Sequence, residues 1–303
     1  MNKEEKKVTI PIKDVLLPPR KRFITGDVQE DKKGVNIAEL LIYLQQITPN
    51  EKIEPEVVVQ RIKNARTYLR DEWNTINPKT IDEVTQFYVN TDGYLYDLYS
   101  WTHNNNMWDL FDKMFTGQER VLDYGCGIGD VAIYLAEKGC DVTAIELDES
   151  KTIDFAMWRV YQRKLGDKID FTIDYAKDKF DAVLAIDVLE HIYFPLRFVT
   201  QFGNLLKNKD SFFFTTPSFG DNTEDKNYPM HIKDNDWLIE NFGNAMISLA
   251  FSPEYPIEEF YPIWRPGFQM QLEKKGIPQP PQPEGGGGKE SSSEDESSKS
   301  SST

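Results

Sequence analysis

The sequence predicts an α/β fold in which a mostly parallel sheet follows a helical N-terminal extension. Two observations carry this. Residues 121–130, VLDYGCGIGD, read as a buried strand, a glycine turn and the start of a helix. From Glu119 onward, short apolar strands alternate with helical patterns, which implies parallel strands joined by right-handed crossovers.

In that first unit Val121 and Leu122 finish the strand, Gly125, Gly127 and Gly129 alternate through the turn, and Val131, Ala132, Leu135 and Ala136 mark the helix. Alternate glycines permit positive φ and close approach of backbone N–H groups to a ligand, the character of a nucleotide-cofactor loop. A dinucleotide fingerprint needs its third glycine three residues after the second, and Asp130 stands there, so NAD is disfavoured. The bare loop alone is also compatible with a tight turn that binds nothing. A second feature agrees with the cofactor reading: strand Asp141–Ile145 ends in Glu146, 21 residues past Gly125, placed to accept hydrogen bonds from both hydroxyls of a ribose.

The 303 residues suffice for one α/β domain with additions, and 39% hydrophobic against 28% charged residues is a globular balance. A net charge of −15 repels phosphate backbones and makes nucleic acid an unlikely partner. No apolar run reaches membrane-spanning length and the N-terminus lacks a signal-peptide core, so a cytoplasmic location is expected. Cys126 and Cys140 suggest neither a disulfide framework nor a metal cluster, and no metal is expected. Oligomeric state is not readable.

Residues 1–35, with Pro11, Pro18 and Pro19, read as an irregular arm. Residues 36–116 read as a helical region: Asn36 through Ile47, Pro55 through Trp73, and a helix opened by the capping box Thr80/Glu83. Tyr94, Tyr96, Tyr99, Trp101, Trp108, Phe111 and Phe115 crowd the segment before the first strand, as core contacts or as rings facing a substrate. Helices are expected over 128–138 and 149–164, the latter burying Ile153, Trp158 and Tyr161, and strands at Ile169–Ile173 and Ala182–Ile186. The last two strands are expected at Met246–Phe251 and Phe268–Lys274, after a helix near Asp236–Asn241. Residues 275–303 turn Pro-, Gly- and then Ser- and acid-rich, a composition expected to be disordered.

The loop Asp123-x-Gly125-x-Gly127-x-Gly129 resembles motif I of class I S-adenosylmethionine-dependent methyltransferases. Asp187-Val188-Leu189-Glu190-His191 after strand four, and a strand-five run ending in Thr-Pro, resemble the small-molecule methyltransferases related to ubiquinone and menaquinone biosynthesis enzymes. The turn Lys207-Asn208-Lys209-Asp210 departs from the Lys-Pro-Gly-Gly-like turn of that group. The resemblance covers roughly residues 117–274. It implies a Rossmann-like sheet, mostly parallel with the last strand antiparallel, and S-adenosyl-L-methionine as cofactor. It further implies cofactor contacts from Asp123, Gly125, Gly127, Gly129, Glu146, Leu147, Asp174, Tyr175 and Asp187, with Asp174 equally readable as a turn residue.

Transfer from a sulfonium is a one-step in-line displacement that needs positioning rather than a protein nucleophile. The expected acceptor is a small molecule with an oxygen nucleophile. Its base would come from His231 or His191, although His191 also reads as a structural member of the Glu-His turn. A protein acceptor, a methyltransferase-like scaffold without turnover, and, third, a dehydrogenase are the competing functions. Strand four lacks the Asn/Asp-Pro-Pro-aromatic motif of many N-methyltransferases, which lowers amide and adenine acceptors.

Overall fold

The computed structural model describes residues 37–103, 107–173, 175, 179–219, 228–231, 236–253 and 263–266. Helices α1 (Ala38–Ile47), α2 (Pro55–Lys63), α3 (Ala65–Ile76), α4 (Ile81–Asn90), α5 (Gly93–His103) and α6 (Met107–Met114) come first. The sheet region follows as β1 (Arg120–Tyr124), α7 (Asp130–Glu137), β2 (Asp141–Ile145), α8 (Lys151–Gln162), β3 (Ile169–Phe171) and β4 (Ala182–Ala185). It continues with α9 (Pro195–Leu205), β5 (Phe212–Thr215), α10 (Asp236–Ser248), β6 (Phe251–Pro253) and β7 (Ile263–Pro266).

The seven strands form one sheet in the order β3-β2-β1-β4-β5-β7-β6. All neighbours are parallel except β7, which runs antiparallel to both β5 and β6, so the expected mostly parallel sheet with its last strand reversed is present. Central strands β4 and β5 are buried at every position, as required of parallel strands covered on both faces. Alternate side chains then divide between two cores. Val121, Leu184 and Phe214 meet Phe111 of α6 and Leu135 of α7, whereas Leu122, Val183 and Phe213 meet Phe202 of α9 and Met246 of α10. The reversal of strand order between β1 and β4 opens the crevice where α/β sheets bind ligands.

The helical extension is seated on the sheet region rather than separate from it. Leu40, Val58, Ile62 and Leu95 bury against Phe155 of α8 and Ile128 of the glycine turn. The segment 55–73, expected to be one helix, breaks at Asn64, whose φ of −108° and ψ of 10° belong to a turn. Asparagine competes for backbone hydrogen bonds and favours such breaks. Tyr161, expected in the core, is 79% exposed.

A larger correction concerns 246–250. No strand begins at Met246, because α10 runs to Ser248 and β6 starts at Phe251. Leu238, Phe242, Ala245, Met246 and Leu249 recur at helical spacing on one packed face, a period masked in the sequence by the apolar run that follows. The final described strand is Ile263–Pro266, and the strand expected at 268–274 lies outside the described residues, as do the arm 1–35 and the tail 275–303. Among the described residues no helix is long and apolar enough to cross a membrane.

The capping box before α4 is present as expected. Thr80 Oγ1 accepts from Glu83 N at 3.2 Å, and Glu83 Oε2 accepts from Thr80 N at 3.0 Å. Thr80→Ala is expected to lower stability by about 1 kcal/mol in chemical denaturation. An unchanged midpoint would show that the helix start is held by its packing alone.

Candidate active site

The glycine turn leaves β1 at the crevice. Gly125 and Cys126 both donate their N–H groups to Ile145 O, at 2.8 and 2.9 Å, which ties the turn to the tip of β2. Gly125, Gly127 and Gly129 have φ of 75°, 54° and 78°, a region that side chains other than glycine rarely adopt. At Gly127 an added Cβ would lie 2.7 Å from Leu98 Cδ1, so this glycine admits the close approach of α5 as well as a strained turn. Cys126 is a buried residue of the turn.

Glu146 stands where β2 ends. Its Oε2 accepts from Gly127 N at 2.7 Å and its Oε1 from Leu147 N at 2.9 Å, which fixes the carboxylate plane while leaving each oxygen capacity for one further donor. Burial raises its pKa even though these two N–H groups favour the charged form. Leu147 exposes its side chain beside it. Asp123 lies beneath, 2% exposed, with Oδ2 lacking a hydrogen-bond partner among the described residues. Burial, with the charge of Glu146 added, pushes the Asp123 carboxyl up to about 7 against a favourable contact from Ala132 N. The negative charge of Glu146 thus adds to burial in disfavouring ionisation of Asp123. Tyr175 packs against Tyr124 at 6.1 Å between ring centroids, and Asp174 lies outside the described residues.

Beyond β4, Asp187 sits at φ 49°. Its Oδ1 accepts from Thr216 Oγ1 and its Oδ2 from Trp101 Nε1, both at 2.9 Å. The carboxylate of β4 is thus held between the end of β5 and helix α5. Thr216 had no site role in the sequence reading, and Trp101 was read there as a core contact or a ring facing a substrate. An indole N–H is a donor with no acceptor capacity, so a tryptophan in the aromatic segment before the first strand was the available signal.

The following 3₁₀ turn, Leu189–His191, carries the second group. Glu190 is 1% exposed and accepts from Ser218 N at 2.9 Å. Tyr88 of α4 places its hydroxyl 2.7 Å from His191 Nδ1. The His191 and His231 rings meet edge to face at 4.7 Å, and His231 stacks on Tyr228 at 5.2 Å. Burial holds the His191 pKa well below its usual value and lowers that of His231 to about 4, with Asp187 opposing the shift. Both imidazoles are therefore electron-pair donors at neutral pH. Although the sequence pointed to no metal, Glu190, His191 and His231 each offer one ligand atom, all within 4.8 Å of one another.

The sheet order, glycine cradle and buried acids are accompanied by a direct match. A family model described as a methyltransferase domain matches residues 83–248, more than half of the chain. The chain belongs to this methyltransferase-domain family. Family membership makes S-adenosyl-L-methionine its cofactor. The chain is 31% identical over 105 residues to the ubiquinone biosynthesis O-methyltransferase of Dechloromonas aromatica, an overlap of 32% of this chain and 44% of that protein. The enzyme of the same description from Thiobacillus denitrificans is 32% identical over 105 residues, with the same shares. The chain thus spans less than half the length of these curated relatives. An O-methyltransferase family protein from Burkholderia thailandensis is a remote structural likeness, 12% identical with a TM-score of 0.44, covering 68% of this chain and 71% of that one.

Asp123 provides a test of the crevice electrostatics. Its folded-state pKa, about 7, lies above the roughly 3.9 of an unfolded aspartate, so its cost to stability is absent at low pH and grows as pH rises towards the folded value. Asp123→Asn removes that growth. The variant is expected to gain on the parent by about 1.4 kcal/mol per pH unit between the two values, on the order of 3 kcal/mol between about pH 5 and about pH 8. Parallel stability curves for the two proteins would refute the buried-acid assignment.

Proposed function

We propose that this protein transfers the methyl group of S-adenosylmethionine to an oxygen of a small-molecule acceptor. The carrying observation is the division of the crevice. Glu146 and the glycine turn occupy its β1–β2 side, while Asp187, Glu190, His191 and His231 line the β4–β5 side beneath α4 and α5. The likeness to ubiquinone biosynthesis O-methyltransferases supports an oxygen nucleophile.

On this reading Glu146 accepts hydrogen bonds from the ribose, and the turn at Gly125, Gly127 and Gly129 receives the methionine portion. Asp123 supports the turn from below, Leu147 borders the nucleoside, and Asp174 and Tyr175 lie at the β3 end on the adenine side. Asp187 closes the cofactor side from β4. An acceptor oxygen attacks the methyl carbon in line; the C–O bond forms as the C–S bond breaks, and the electron pair of that bond stays on sulfur as the thioether. The hydroxyl proton must leave, and His231 and His191 are the catalytic candidates for assisting it because both are unprotonated at neutral pH. The acceptor enters over the β4 and β5 ends, so its selection falls to the α4–α5 region and to residues 218–231.

Glu146→Ala is expected to weaken S-adenosylmethionine and S-adenosylhomocysteine alike, at least about tenfold, by calorimetry, since the two share the nucleoside. A loss confined to one of them would contradict a ribose contact. His231→Ala is expected to lower turnover by about 10²–10⁴-fold with cofactor affinity unchanged. Full activity of this variant on the true acceptor across neutral pH would remove His231 from the mechanism. A scaffold without turnover is distinguished by binding the cofactor while no acceptor in a screen of hydroxylated metabolites gains label.

A further inference from the structure

We propose that the acceptor carries a basic nitrogen besides its reacting oxygen, and that Asp97 and Tyr94 hold this nitrogen as an ammonium. The link to an acceptor rests on the methyl-transfer reading; the binding of an organic cation by these residues does not.

Tyr94, Asp97, Leu98 and Trp101 fall at i, i+3, i+4 and i+7 along α5 and so share one face of that helix. Their contacts turn this face to the crevice. Leu98 lies against Gly127, Trp101 bonds Asp187, and the Tyr94 ring stands 6.5 Å from that of His191. Asp97 is the carboxyl of this face, 8% exposed, and methyl transfer as derived above gives it no task.

A carboxylate has room for about four hydrogen bonds. Among the described residues Asp97 accepts from one hydroxyl, that of Tyr228, shared between its two oxygens at 3.2 and 3.0 Å. Arg66 Nε comes no nearer than 3.9 Å, from a side chain 42% exposed, so solvent screens much of its charge. Burial raises the Asp97 pKa and Asp187 adds to the shift, with Arg66 and Tyr228 opposing it. A carboxyl in that position gains from a further cation beside it.

The surroundings suit an ammonium and repel an anion. The Tyr94 hydroxyl is buried with no hydrogen-bond partner among the described residues; that of Tyr88 is engaged by His191 Nδ1 at 2.7 Å and Met230 O at 3.3 Å. Burial, with Tyr88 and Asp97 adding, holds the Tyr94 pKa well above its usual value, so its oxygen is a neutral phenol able to accept from an N–H group. The Tyr88 and Tyr94 rings, 5.4 Å apart, supply π-systems that attract cations, as the Tyr228 ring already attracts the Arg66 guanidinium at 4.8 Å. Tyr228 also stacks on His231, which joins this pocket to the transfer side. An ammonium offers three donors, enough for Asp97 and Tyr94 together, and has no lone pair with which to compete with oxygen for the methyl group. Packing alone accounts for the rings but not for an under-satisfied carboxylate beside an unpartnered hydroxyl.

The test uses the full chain saturated with S-adenosylhomocysteine and titrated by calorimetry with tyramine, tyrosol and 4-hydroxyphenylacetate, which share a hydroxylated ring and differ in charge. Tyramine is expected to bind at least about tenfold more tightly than either of the others. Asp97→Asn, which keeps side-chain shape and still accepts from Tyr228, is expected to abolish that preference, and Tyr94→Phe to reduce it severalfold. Tyr228→Phe is expected to keep it, which separates cation binding from a clamp that merely holds residue 228. Unchanged S-adenosylhomocysteine affinity shows that each variant is folded. Tyramine binding no tighter than tyrosol, absence of binding by all three, or a preference that survives Asp97→Asn overturns the pocket. Tyramine preferred by the parent but never methylated, with every other acceptor also inert, would refute methyl transfer while leaving the pocket standing; label reaching hydroxylated acceptors with no gain from an amine would do the reverse.

Discussion

One buried guanidinium links the parts on which the crevice depends. Arg159 of α8 bonds Ile128 O of the glycine turn at 2.8 Å, Asp130 at the start of α7 at 2.6 Å and Glu39 of α1 at 3.1 Å. Asp130 also accepts from Thr102 of α5. The residue that departs from the dinucleotide fingerprint thus has a definite role: it converts the third position after Gly127 into a junction between the turn, α7 and α5 of the helical extension. An ion pair this deep is no assured source of stability, because desolvation offsets much of the attraction. What it supplies is geometry. With only 7% of the Arg159 side chain exposed, its partners are fixed relative to one another, and removing Arg159 would leave the Asp130 carboxylate, 12% exposed, without its counter-charge.

A turn held so firmly can present its backbone N–H groups to a ligand without reorganising, and the same rigidity concentrates acid in the crevice. Asp123 and Glu146 both have raised pKa values, chiefly from burial. Under the proposed function, their negative field favours a cofactor that carries a positive sulfonium and loses that charge on transfer. The product is then held less strongly than the substrate by the same groups, a bias that assists turnover rather than binding alone.

The sequence made the cofactor half readable because its signals are local. Alternating glycines, a strand tip 21 residues later and the capping box at Thr80 each need only a few neighbouring residues to be recognised, and each is found where expected. The misses share one cause. The break at Asn64, the extension of α10 past Met246 and the exposure of Tyr161 are decided by which face finds a partner, which an apolar pattern alone does not specify. The acceptor side was legible only as separate letters. His191 and His231 were singled out, but Glu190 was read as part of a turn, and the convergence of the three depends on the chain between His191 and His231 returning the segment after β5 to the end of β4.

That convergence also bears on how the site opens. The helical extension reaches the β4 end twice, through Trp101 to Asp187 and through Tyr88 to His191, and both bonds fall within six residues of the end of β4. Lifting α4 and α5 to admit a cofactor would break both, at a net cost of roughly 1 kcal/mol each, with more from uncovering rings such as Tyr94. A cost of that size is small against the binding energy of a nucleoside cofactor, so the extension can act as a lid without being loose. The two latches end on Asp187 and His191, which the proposed function assigns to the cofactor side and the acceptor side. Under the proposed methyl transfer, closure would set both halves of the in-line geometry in one motion, and a substrate that fails to support either latch would forfeit alignment as well as contact.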